Sequence, residues 1–79
     1  MNTKLAELLK VVFNLTDKEF DETLTQDDIT SWDSLKHMEL VIALEKKYDL
    51  TLKVEEIIEM NSISTILKIL KRKGINVEE

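Results

Sequence analysis

The chain has 79 residues, with 11 basic and 16 acidic side chains for a formal charge of -5, no cysteine, no proline, one glycine and one histidine. A chain of this length makes one small domain burying roughly 60% of its unfolded surface, which leaves no room for a large enclosed active site. The missing cysteines exclude disulfides, a thiolate nucleophile and cysteine-ligated metal, the lone histidine argues against a histidine zinc site, and the acidic balance argues against nucleic acid and for basic protein partners.

Met1-Asn2-Thr3-Lys4 leads into a charge-punctuated stretch, so neither a signal peptide nor a membrane span is expected, and the expected compartment is the cytoplasm. Leu5, Leu8, Leu9, Val12 and Phe13 then follow the spacing of one helical face, with Lys4, Glu7 and Lys10 on the other. That pattern predicts a first helix over about residues 3–14, capped by Asn2 or Thr3. The Asn14-Leu15-Thr16 sequon has no consequence in a chain that is not secreted.

From Thr16 to Trp32 the periodicity stops, and single apolar residues Phe20, Leu24, Ile29 and Trp32 punctuate polar sequence. A connection this long in a small domain either carries function or packs as an ordered loop, and the spaced apolar residues predict packing. A second helix begins at the N-cap candidates Asp33 or Ser34 and runs to Tyr48, a short third covers about 54–59, and a fourth covers about 62–73. Ser62 caps the fourth helix, Lys71, Arg72 and Lys73 complement its dipole, Gly74 stops it, and Ile75 to Glu79 are expected to fray. The fold class is therefore all-α, a small four-helix bundle of three longer helices and a short third, in one domain over residues 1–79.

Helix two carries two apolar groups. At about 100° per residue, Leu40, Val41, Leu44 and Tyr48 share a core-facing stripe. Leu35, Met38 and Ile42 fall in another sector, shared with Glu39, Glu45 and Lys46, where full burial would strand charges. A partly exposed apolar stripe rimmed by charge marks a protein-binding surface, to which methionine lends adaptability. The alternative is that Leu35 tucks under the loop while Met38 and Ile42 are scattered surface residues.

Trp32-Asp33-Ser34-Leu35, followed by Glu39-Leu40-Val41 and Ala43-Leu44-Glu45, resembles the Asp-Ser-Leu site and second helix of acyl carrier proteins and their peptidyl and aminoacyl relatives. Thr23-Leu24, Tyr48 with Leu50 and Leu52, and Ser62-Ile63 extend the likeness over about Leu5 to Leu70. The resemblance implies that Ser34 is esterified to 4'-phosphopantetheine, delivered from coenzyme A by a phosphopantetheinyl transferase. The arm's thiol then carries an acyl or aminoacyl group as a thioester, which supplies the sulfur that the chain lacks. The protein would be a carrier rather than an enzyme.

Position alone agrees with that chemistry. A serine opening a helix is accessible, and a phosphodiester there faces free N–H groups and the positive end of the dipole. Without an adjacent base its hydroxyl is unreactive, so an outside enzyme is required; the bland reading is that Ser34 only caps. By resemblance Asp33 helps the transferase dock, besides capping. A Ser34–His37–Asp33 triad is rejected because adjacency along a helix does not give triad geometry, and His37 is expected at the surface beside the arm. A calcium loop of Asp17, Glu19, Asp21 and Asp28 is rejected because Glu22 stands where glycine is needed and the final glutamate is absent. Trp32 departs from the small residue of most fatty-acid carriers and is expected to pack the loop on helix one or two. Leu44, Ile57 and Met60 match positions that shelter acyl chains in some carriers, or simply fill the core.

Lys36, Lys46 and Lys47 dilute Asp33, Glu39 and Glu45 on a helix that is strongly acidic in fatty-acid carriers. Charge tunes encounter rate and discrimination, so the expected partners are dedicated ones: an acyl- or aminoacyl-activating ligase and a downstream acyltransferase or synthase, in secondary-metabolite or cell-surface biosynthesis. Asp33, Leu35, Lys36, Met38, Glu39, Ile42 and Glu45 form the expected partner face. No metal, nucleic acid or membrane enters this reading, and a free monomer suits a shuttle. The competing class is an unmodified helical interaction domain that binds through Met38 and Ile42.

Overall fold

A computed structural model describes residues 1–78. Its helices are α1 (Thr3–Phe13), α2 (Ser34–Tyr48), α3 (Val54–Glu59) and α4 (Ile63–Arg72), an all-α bundle with a long connection between α1 and α2. Among the described residues no helix is long and apolar enough to cross a membrane.

Each helix starts and stops for a local reason. The Asn2 side chain accepts from Leu5 N at 3.1 Å, and Ser62 Oγ accepts from Thr65 N at 3.0 Å, satisfying first-turn amides. Helices α1 and α2 end on left-handed Asn14 (φ 57°) and Asp49 (φ 50°), residue types that tolerate this region. Gly74 (φ 88°) ends α4 in a Schellman turn: Ile75 N donates to the Leu70 carbonyl at 3.0 Å and Gly74 N to that of Lys71 at 3.0 Å. The terminal positions expected in α1 and α4 are thus caps, and the helices are one or two residues shorter.

The core takes Leu5, Leu9 and Phe13 from α1, Leu40, Val41 and Leu44 from α2, and Ile63, Ile66, Ile69 and Leu70 from α4. Tyr48, on the expected stripe, is half-buried, which pushes its phenol up from the ordinary value. Helix α3 contributes no fully buried residue and lies at the edge. Lys73 Nζ holds Glu56 Oε1 at 3.0 Å and Arg72 holds Glu59 at 2.9 Å, tying α3 to α4. Glu56 also accepts from Lys53 N at 2.8 Å, and that backbone bond, followed by Lys73, holds its carboxyl below the ordinary value.

The long connection is an ordered loop. Ile29 and Trp32 are buried, and Phe20 and Leu24 pack half-buried against the core. Leu24 and Thr25 pair with the start of α4 through Ile63 N to the Leu24 carbonyl at 2.9 Å and a Thr25–Ser62 bridge. Its acidic residues serve as turn caps. Glu19 accepts from Thr16 N, Asp21 from Thr23 N and Asp28 from Thr25 N, while Asp17 pairs with Lys10 at 2.9 Å. The backbone bonds from Thr16 and Thr23 hold the Glu19 and Asp21 carboxyls below their ordinary values. Among the described residues no acidic or histidine cluster is disposed to hold a metal ion.

The tail departs from expectation. Val77 is buried and its carbonyl accepts from Asn2 N at 2.8 Å, so the chain through Val77 packs beside the start of α1 instead of fraying, while Glu79 lies outside the described residues. Burial of one valine in the core outweighs the absence of helical period there.

Candidate functional site

The junction between loop and α2 is built from Trp32, Asp33 and Ser34. Trp32 is 4% exposed and its ring centroid lies 4.4 Å from that of Phe13, which fixes the chain to α1 just before the helix begins. Asp33 follows in extended conformation (φ -106°, ψ -171°). Its carboxylate accepts from Lys36 N at 2.8 Å and its carbonyl from His37 N at 2.8 Å, so Asp33, not Ser34, is the cap. Ser34 is thereby left as the first helical residue, exposed to solvent, with the positive end of the α2 dipole beneath it.

His37, expected at the surface beside the arm, is half-buried with both ring nitrogens bonded. The Trp32 indole Nε1–H donates to His37 Nδ1 at 2.9 Å, which makes Nδ1 an acceptor and puts the proton on Nε2. Nε2–H donates to the Ile57 carbonyl at 2.7 Å. Both ring nitrogens are engaged away from Ser34, so the triad reading fails on geometry as well. The sequence held a signal for this bond. A buried indole N–H needs an acceptor, and the sole histidine stands five residues on, one turn into the helix.

Beside Ser34 a cleft of about 330 Å³ opens between α2 and α3, lined by Gln26, His37, Met38, Ile58 and Met60. The outer face of α2 presents Leu35 (71% exposed), Ile42 (50%) and Met38 (46%). Ile58, 74% exposed on α3, flanks the cleft opposite Met38 and was missed because one residue on a six-residue helix shows no period. Lys36 and Glu39 pair with each other at 3.0 Å beside this stripe. Glu45 stands apart from it, half-buried, its Oε2 accepting from Leu52 N at 2.9 Å to close the turn after α2. Of the residues expected to line the space between α2 and α3, Leu44 and Met60 are fully buried and Ile57 is half-buried.

Residues 3–70 match the family model of the phosphopantetheine attachment site. The chain belongs to the phosphopantetheine attachment site family. Its cofactor is accordingly covalently attached 4'-phosphopantetheine, and the family's members are carriers rather than enzymes. The fold is similar to the solution structure of a holo acyl carrier protein from Geobacter metallireducens, with a TM-score of 0.77 and 24% identity over 90% of this chain and 82% of that one. No match to a curated protein sequence accompanies these two. Carriers of this family meet phosphopantetheinyl transferases and biosynthetic enzymes.

Proposed function

We propose that Ser34 is the attachment point of the phosphopantetheine arm, and that the carrier presents an acyl or aminoacyl thioester on it to the enzymes of a specialised pathway. The observation that carries this reading is the exposure of Ser34 at the head of α2, directly after a buried anchor and a cap that is another residue. A phosphodiester fits there, because first-turn N–H groups and the helix dipole favour an anion and nothing covers the hydroxyl. On loading, the bond between Ser34 Oγ and phosphorus forms as the diphosphate linkage of coenzyme A breaks and its nucleotide part leaves. The serine proton goes to a base of the transferase, since both nitrogens of His37 are already bonded.

Bound to Ser34, the arm supplies a thiol for thioester formation. The chain's residues anchor it, orient it and keep its carrier recognisable. Asp33 caps α2 and offers its charge to the transferase, while Leu35, Met38 and Ile42 offer the apolar contact. The internal pairing of Lys36 with Glu39, and exposed Lys46 and Lys47, leave α2 without a strong acidic field. This favours a dedicated ligase and a downstream acyltransferase or synthase over fatty-acid enzymes. The proposed setting is the cytoplasm, with the carrier a monomer.

Incubation with coenzyme A and a broad-specificity transferase tests the reading. The expected result is a mass gain of one phosphopantetheinyl unit, abolished in Ser34→Ala; no gain favours an unmodified interaction domain. Efficient use of the loaded protein by fatty-acid chain-elongation enzymes would refute the specialised setting.

A further inference from the structure

Helix α3 has no fully buried residue, and a hydrogen bond from α2 to α3 runs through the His37 ring. His37 Nε2–H donates to the Ile57 carbonyl at 2.7 Å, and Trp32 holds Nδ1 at 2.9 Å, so the imidazole is clamped from both sides in one tautomer. The Ile57 carbonyl lies in the last turn of α3, where among the described residues it also accepts a long bond of 3.4 Å from Met60 N. The same ring lines the cleft beside Ser34. Met60, in the wall of the cleft, and the core residues Leu40 and Leu44 are fully buried.

These facts bear on what the arm can carry. An apolar chain that outgrows the cleft can go deeper only by parting α3 from α2, and that breaks the bond from His37 to Ile57. The imidazole N–H would then face hydrocarbon without a partner, and the carbonyl would keep just its long bond from Met60 N, an expensive exchange for the burial of a few methylenes. A short or polar group has no need to enter.

We propose that His37 is a latch that holds the cleft between α2 and α3 closed to long apolar chains, so that the carrier displays short or polar cargo outside the bundle. The cargo part rests on attachment at Ser34; the latch itself does not. Hydrogen–deuterium exchange on the unmodified chain tests the latch. In His37→Ala the amides at the end of α3 exchange roughly tenfold faster, while those of α1 are unchanged. His37→Gln, which keeps a donor for the Ile57 carbonyl, recovers part of the protection. Equal α3 exchange in wild type and His37→Ala overturns the latch.

The second arm loads both proteins from acetyl- and octanoyl-coenzyme A and measures cleavage of each thioester by hydroxylamine, relative to the free thioester. In the wild type neither group is protected; in His37→Ala octanoyl becomes protected and acetyl does not. Octanoyl protection in the wild type, or none in His37→Ala, overturns the cargo selectivity. Failure to load at all removes the Ser34 reading and the cargo claim together, and the exchange experiment still decides the latch.

Discussion

Trp32 Nε1 lies 2.9 Å from His37 Nδ1, and this bond fastens the long loop to α2 across the point where Ser34 faces solvent. The tryptophan has two separable duties, packing on Phe13 and donating to the imidazole. Trp32→Phe keeps most of the packing and loses the donor, so it costs about 1 kcal/mol, whereas Trp32→Ala costs roughly 3–5 kcal/mol. Urea unfolding of the two variants measures the difference, and equal losses would assign the residue's role to the bond alone.

The cap at Asp33 separates charge from hydrogen bonding. Asp33→Ala removes the acceptor for Lys36 N and costs about 1 kcal/mol, while Asp33→Asn retains a capping oxygen and costs much less. If Asp33 also guides the transferase through its charge, Asp33→Asn loads more slowly at unchanged stability. A loading rate equal to wild type would confine the residue to capping.

Glu56 gives the protein an acid-sensitive joint between α3 and α4. Its folded-state carboxyl is held below the ordinary value of 4.5, by Lys53 N first and Lys73 next, so the ionised form stabilises the fold. That stabilisation is fully present above the unfolded-state value and fades as pH falls through the lower folded-state value. Wild type therefore exceeds Glu56→Gln in stability at neutral pH, and the gap narrows below the ordinary carboxylate range. A gap independent of pH, read from unfolding curves across that range, would contradict this.

Much of the bundle was readable because helical signals are local: apolar spacing along α1 and α4, caps at Asn2 and Ser62, a stop at Gly74. The bond from His37 to Ile57 was not, since it joins residues 20 positions apart in sequence and depends on how α3 lies on α2. The packing of Val77 was invisible for the same reason, since it joins the two ends of the described chain. The exposed stripe of Leu35, Met38 and Ile42 was legible because the neighbouring charges forbade its burial.

Gly74 tests the end of α4. A Cβ added there meets no atom within 4 Å, so the cost of Gly74→Ala is backbone conformation alone, about 1 kcal/mol for a left-handed residue. Gly74→Asn costs less, because asparagine visits that region more readily. Equal costs in denaturant unfolding would point to something other than the φ angle.

Fragmentation mass spectrometry of the protein after transferase treatment tests the role of Ser34 most directly, because the sequence offers three other serines, Ser31, Ser62 and Ser64. The predicted result is one phosphopantetheinyl group on the peptide containing Ser34, localised to that side chain. Modification at Ser31, Ser62 or Ser64, or an unmodified Ser34 under conditions that fully load a reference carrier, would contradict it.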